Sequence, residues 1–220
     1  MHFWIKNCGL TTPEAITRAT ETGATHIGLM HYPASPRHLE LEAGAALRAH
    51  ISSSIVSVAV MVDPDDRLLE ALISAWHPTI LQLHGVHSPE RLTDIHTRYG
   101  VDIILAQSVA SADDIRKADA IASEVNIHSL LLDTAKKGMH GGTGETFDWE
   151  LLNEHRPQTP WFLAGGLTPE NVTAAIHATT PHGVDVSSGI ESSPGKKSLE
   201  KIAAFNKAVL LTAHGNTQHT

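Results

Sequence analysis

The sequence predicts an α/β protein, a single-domain closed (β/α)8 barrel of the TIM type. Three observations carry that expectation. Eight short apolar runs rich in β-branched residues alternate with longer helix-like stretches along the whole chain. Residues able to do chemistry (Cys8, Arg37, His84, Asp133, Gly166, Ser187) fall where those runs end. At 220 residues the chain suits one such barrel without dividing into domains. A doubly wound open sheet competes, but no G-x-G-x-x-G turn follows the first strand.

Taken in order, Phe3 to Cys8 is the first strand, and Thr12-Pro13-Glu14 opens a helix reaching about Gly23, with a capping hydroxyl and proline at the first helical position. Thr25 to Met30 is the second strand. The two prolines within residues 31–38 forbid a helix and predict an irregular loop that holds Arg37 in a stiff frame, before a helix near Glu40 to Ala49. Ser54 to Met61 reads as strand three and Pro64 to Trp76 as its helix. Thr79 to His84 is strand four, closed by Gly85, and Ser88-Pro89-Glu90 starts the next helix. Strand five runs from Val101 to Leu105, a helix begins near Ala112, and strand six spans Ile127 to Asp133. Residues 134–147 are too glycine-rich for a helix and long for an ordinary connection, the mark of a functional loop. A short helix begins at Phe147-Asp148-Trp149, strand seven is Pro160 to Ala164, and Thr168-Pro169-Glu170 opens another helix. Val184 to Val186 is strand eight and Leu199 to Leu211 the closing helix. Residues 1–212 thus form the barrel and 213–220 a polar tail.

The totals exclude several classes. A net charge of −8 with no Lys/Arg block argues against a nucleic-acid partner. No apolar run is long enough for a membrane span and no basic-then-apolar leader opens the chain, so a cytoplasmic protein is expected. One cysteine rules out an internal disulfide framework. The sixteen histidines lack any paired metal-ligand spacing, so no metal is expected.

In a barrel, strand carboxyl ends converge on one mouth. Alternation puts Trp4, Lys6 and Cys8 on one face of the first strand and Phe3, Ile5 and Asn7 on the other. With Cys8 at the mouth, Lys6 points into the barrel and requires a carboxylate, which Asp185 on the neighbouring eighth strand is placed to supply. A lone cysteine is also a good core residue, and Asp133 also reads as a loop anchor or cap. A thiolate and a carboxylic acid across one mouth suit acid/base isomerisation. Glycine pairs in Ala164-Gly165-Gly166-Leu167-Thr168 and Val186-Ser187-Ser188-Gly189-Ile190 suit phosphate held on backbone amides after strands seven and eight.

These stretches carry a resemblance that covers nearly the whole chain. Lys6-x-Cys8-Gly9-Leu10-Thr11, Tyr32-Pro33-x-Ser35-Pro36-Arg37, Gln82-Leu83-His84-Gly85, Leu132-Asp133, Gly141-Gly142-Thr143-Gly144-x-x-Phe147-Asp148-Trp149, Leu163-Ala164-Gly165-Gly166-Leu167 and residues 183–195 resemble the phosphoribosylanthranilate isomerase family of tryptophan biosynthesis. The resemblance implies an Amadori rearrangement of a small-molecule phosphosugar, with neither cofactor nor metal, by a monomer or homodimer. It implies Asp133 as general acid and Cys8 as general base. Substrate contacts are implied at Arg37, which would pair with the anthranilate carboxylate, and at His84, Gly142 and Asp185. Phosphate contacts are implied at Gly165, Gly166, Ser187, Ser188 and Gly189. Asn7 in place of an aliphatic residue, Val86-His87 in place of an acidic pair, and Leu105 where lysine is common depart from the family pattern. Another phosphosugar isomerase or epimerase barrel would favour paired aspartates or metal-binding histidines over a first-strand cysteine, and a non-catalytic binder would need neither Cys8 nor Asp133.

Overall fold

The computed structural model describes residues 3–86, 88–134 and 149–215. Its eight parallel strands close into a barrel in sequence order: β1 Trp4–Cys8, β2 His26–Met30, β3 Val56–Val62, β4 Ile80–His84, β5 Asp102–Val109, β6 Ser129–Thr134, β7 Trp161–Leu163 and β8 Gly183–Val186. The outer helices are α1 Pro13–Glu21, α2 Leu41–Arg48, α3 Asp66–Trp76, α4 Pro89–Tyr99, α5 Ala112–Glu124, α6 Leu151–Glu154, α7 Val172–Thr179 and α8 Leu199–Gly215. Closure comes from β1 pairing with both β2 and β8.

Period-two alternation divides every strand between two cores. Ile5, Ile27, Leu81, Leu83, Leu130 and Leu132 face the helix layer, in the large core with Leu69, Trp76, Ile115 and Phe205. Cys8, Val58, Val60, Ile80, Ile104, Ala106, Leu131, Phe162 and Ala164 fill the barrel itself. Local chemistry sets the helix starts. Thr12, Asp65 and Ser88 each accept an amide of the first turn, and Ser111 and Asp114 form a capping box.

Several boundaries differ from the sequence reading, among them α3, which starts at Asp66 on its Asp65 cap and not at Pro64, and β6, which starts at Ser129 and not at Ile127. Strand five continues to Val109 because β6 stays in register with it as far as Val109↔Thr134. Helix α7 starts at Val172, not at Pro169, because the Asn171 side chain accepts the Thr168 amide and donates to the Gly166 carbonyl, folding 168–171 into a turn. Helix α8 runs to Gly215, into the stretch read as tail. After β8 comes a 3-10 turn, Ser188–Ile190, and then a small antiparallel hairpin, β9 Glu191–Ser193 and β10 Lys196–Lys197, which the strand count did not include. Of the loop expected at 134–147, Thr134 belongs to β6 and the rest, with Gly142, lies outside the described residues, as do Phe147 and Asp148; the short helix expected from Phe147-Asp148-Trp149 is α6, which starts at Leu151, after Trp149.

Candidate active site

The mouth is built from strand ends. Cys8 ends β1 on the inner face, level with Ser187 after β8, and is only 4% exposed. One step deeper, the fully buried Lys6 donates from Nζ to Asp185 Oδ1 at 2.7 Å, the partner that alternation assigned. Lys6 lies beside the thiol as well. A Cβ on Gly28 of β2 would come within 2.9 Å of Cys8 Sγ and 3.2 Å of Lys6 Nζ, so only glycine leaves room for both. Burial pushes the Cys8 thiol above its ordinary value, and the ammonium groups of Lys6 and Lys197 pull the other way. Lys6 stays charged because Asp185 and Cys8 outweigh its burial.

Asp133 shares the inner face of β6 with Leu131, two strands beyond β8 by way of β7, and is half-buried. His84 ends β4 on the inner face, its Nε2 2.8 Å from Gln82 Nε2, so the two side chains fix each other. Gly165 and Gly166 adopt φ of +87° and +65°, the left-handed conformation that glycine takes without strain. Gly189 packs directly on the Leu167 carbonyl, where any Cβ would collide, so the loops after β7 and β8 touch. Ser187 and Gly189 are half-buried and Ser188 is exposed there.

Arg37 reaches the same mouth with a partner absent from the sequence reading. Its Nε and Nη2 donate to the two oxygens of Glu191 on β9, at 2.6 and 2.8 Å. Glu191 also accepts from Lys197 Nζ at 2.9 Å and from the Gly195 amide. Its carboxyl is held below the usual range by those bonds, against the burial that would raise it. Glu191 stands in a segment quoted for the resemblance, but no role attached to it. Gly28 had one available sign, a glycine inside a strand. Among the described residues no group of three or more His, Cys, Asp or Glu is placed to hold a metal ion, and no helix is long and apolar enough to cross a membrane.

Fold and mouth together define the class, a (β/α)8 barrel with acid/base side chains at its carboxyl-terminal opening. The family model described as N-(5'phosphoribosyl)anthranilate (PRA) isomerase matches residues 5–208. The N-(5'-phosphoribosyl)anthranilate isomerase of Parvibaculum lavamentivorans is 43% identical over 214 residues, covering 94% of this chain and 98% of that one. Among solved structures, phosphoribosyl anthranilate isomerase from Thermotoga maritima superposes with a TM-score of 0.86 at 33% identity, covering 95% of this chain and 99% of that one. Another, solved in complex with reduced 1-(o-carboxyphenylamino)-1-deoxyribulose 5-phosphate, gives a TM-score of 0.82 at 30% identity with the same coverage. The chain belongs to the N-(5'-phosphoribosyl)anthranilate isomerase family.

Proposed function

We propose that the chain converts N-(5'-phosphoribosyl)anthranilate to 1-(2-carboxyphenylamino)-1-deoxyribulose 5-phosphate, with Asp133 as general acid and Cys8 as general base. One observation carries the assignment of roles: a thiol flanked by two ammonium groups and a carboxyl on the inner face of β6 stand at the same barrel mouth. Asp133 gives a proton to the furanose ring oxygen, and the C1–O bond breaks to leave a Schiff base. Cys8 then takes the C2 proton, and the resulting enolamine tautomerises to the ketone. Only protons move and the reaction is redox-neutral, so the chemistry requires no cofactor.

The remaining residues bind and orient. Arg37 uses Nε and Nη2 on Glu191, which leaves Nη1 for the substrate carboxylate in a guanidinium already fixed in plane. His84, locked by Gln82, lines the same opening. Asp185 contributes through Lys6, which it holds in place. The phosphate sits on backbone amides of the two touching loops, at Gly165, Gly166 and Ser187 to Gly189. The ligand is a small phosphorylated molecule, and the chain works as a monomer or homodimer in the cytoplasm.

Loss of phosphoribosylanthranilate fluorescence on addition of purified protein tests this directly. Cys8→Ala and Asp133→Asn should each lower kcat by at least about 10²-fold, the scale of general acid/base catalysis. Arg37→Met should act chiefly by raising KM. No turnover by the unaltered protein would sink the activity, and a fully active Asp133→Asn variant would sink the acid assignment alone.

A further inference from the structure

The hairpin β9–β10 places one buried lysine where the acid/base scheme has no use for it. The Lys197 side chain is 2% exposed. Its Nζ donates to Glu191 Oε1 at 2.9 Å, to the Ser187 carbonyl at 2.9 Å and to Ser187 Oγ at 3.3 Å. An ammonium has three hydrogens, and these acceptors engage all three. Lys197 therefore has no donor left for a substrate; burial lowers its pKa and Glu191 acts against that, and what it offers the mouth is the ammonium charge so held. Ser187, the residue it grips, donates its hydroxyl to the Cys8 carbonyl at 3.2 Å. One chain of bonds thus ties the hairpin to the catalytic strand end.

On β1, Lys6 is the nearer ammonium, but Asp185 of β8 is hydrogen-bonded to it and opposes it at Cys8. Lys6 outweighs Asp185 there, by its charge and by a hydrogen bond to the thiol, so the pair leaves a reduced positive influence at the sulfur. From the β2–α2 loop, β9 and β10 come Arg37, Glu191 and Lys197, joined by bidentate and single ion pairs. Two cations against one anion leave a net charge of +1. Arg37 neutralises Glu191, and the Lys197 charge remains to act on Cys8.

We propose that Lys197 is a positioning residue for the reaction: its ammonium, immobilised by Glu191 and Ser187, adds to that of Lys6 the positive charge that lets the Cys8 sulfur exist as a thiolate. The inference rests on Cys8 being the base. A buried thiol resists ionisation, because desolvation penalises the charged form. Without an opposing cation the base would be protonated over the working range and could not take the C2 proton.

Cys8 is the only cysteine in the chain, so thiolate ultraviolet absorbance followed against pH, with the Cys8→Ala protein subtracted to remove the two tyrosines, reports on it, and no substrate is needed. Lys197→Met should move the midpoint upward by about one pH unit or more, the size expected for loss of one nearby opposite charge. Lys197→Arg should restore most of that shift. The ascending limb of kcat/KM against pH should follow the absorbance midpoint in each variant. A midpoint unmoved in a folded Lys197→Met protein would overturn the proposal. Lys197→Gln gives the same test if Lys197→Met fails to fold, and an unmoved midpoint there overturns the proposal equally. A fully active Cys8→Ala enzyme would instead remove the base assignment, a result distinguishable because the titration is read on the thiol itself.

Discussion

Asn7 is fully buried on the helix side of β1, and its amide is satisfied by a single residue of the last helix. Asn7 Nδ2 donates to Asn206 Oδ1 at 3.0 Å, and Asn206 Nδ2 returns a bond to Asn7 Oδ1 at 3.1 Å while reaching Thr22 Oγ1 at 2.9 Å. Alternation alone places Asn7 toward the helix layer and demands a buried partner. It does not name one, because the partner lies 199 residues away in sequence. The departure from an aliphatic residue is thus a compensated pair and leaves the catalytic face untouched. Asn7→Leu should destabilise by about 1–3 kcal/mol, since it strands Asn206 Oδ1 without water. Asn206→Leu should do the same, and the double variant should cost clearly less than the sum. Urea unfolding of the four proteins measures the coupling, and simple additivity would contradict the pairing.

At the scale of elements, helix propensity and packing give opposite signs at one position. Gly44 lies inside α2, where alanine would ordinarily gain about 1 kcal/mol. Its missing side chain is filled by the indole of Trp76 on α3, a ring 1% exposed whose Nε1 donates to the Leu41 carbonyl at 2.8 Å. A Cβ there would collide with the ring. Gly44→Ala should therefore lower stability by about 1–3 kcal/mol, as overpacking does, and chemical denaturation that showed a gain would refute the close α2–α3 approach. The hairpin β9–β10 was illegible for a related reason. Its strands are too short for a periodic pattern, and their role depends on Arg37 arriving from the loop after β2, two strands away around the barrel. By contrast, the helices opened by Thr12-Pro13 and Ser88-Pro89 could be placed from sequence, because cap and proline act within their own first turn.

For the whole molecule, the closed end of the barrel carries an acid-sensitive cluster opposite the mouth. Trp4 stacks on His128 at 5.6 Å and lies 5.9 Å from His26 and 6.1 Å from His182, with Phe162 completing the group. His26 is 3% exposed, and burial, with Lys6 and His128 adding, lowers its pKa from 6.5 to about 3. The fold holds it neutral. Above pH 6.5 neither folded nor unfolded His26 carries the proton, so its effect on stability is constant. As pH falls below 6.5 the unfolded chain binds the proton first, and stability drops by about 1.4 kcal/mol per pH unit until the folded pKa is reached. Burial lowers the His182 pKa too, with the same sign. Unfolding midpoints should fall between pH 6.5 and about 5, before carboxylates titrate, and His26→Leu should flatten that slope; a flat profile in the unaltered protein would contradict the buried neutral imidazole. The sequence by itself determined the eightfold strand–helix order, the inward face of β1, the Lys6–Asp185 pair and the strand ends where Cys8, His84 and Asp133 stand, because alternation and caps are local and barrel closure makes strands one and eight neighbours. Only the tertiary structure decided that Arg37 leans on Glu191, that Lys197 is buried beside the thiol, that Gly28 makes room for it and that Asn206 satisfies Asn7. Those facts depend on side chains meeting across a closed barrel, where which atoms touch is set by packing and not by spacing along the chain.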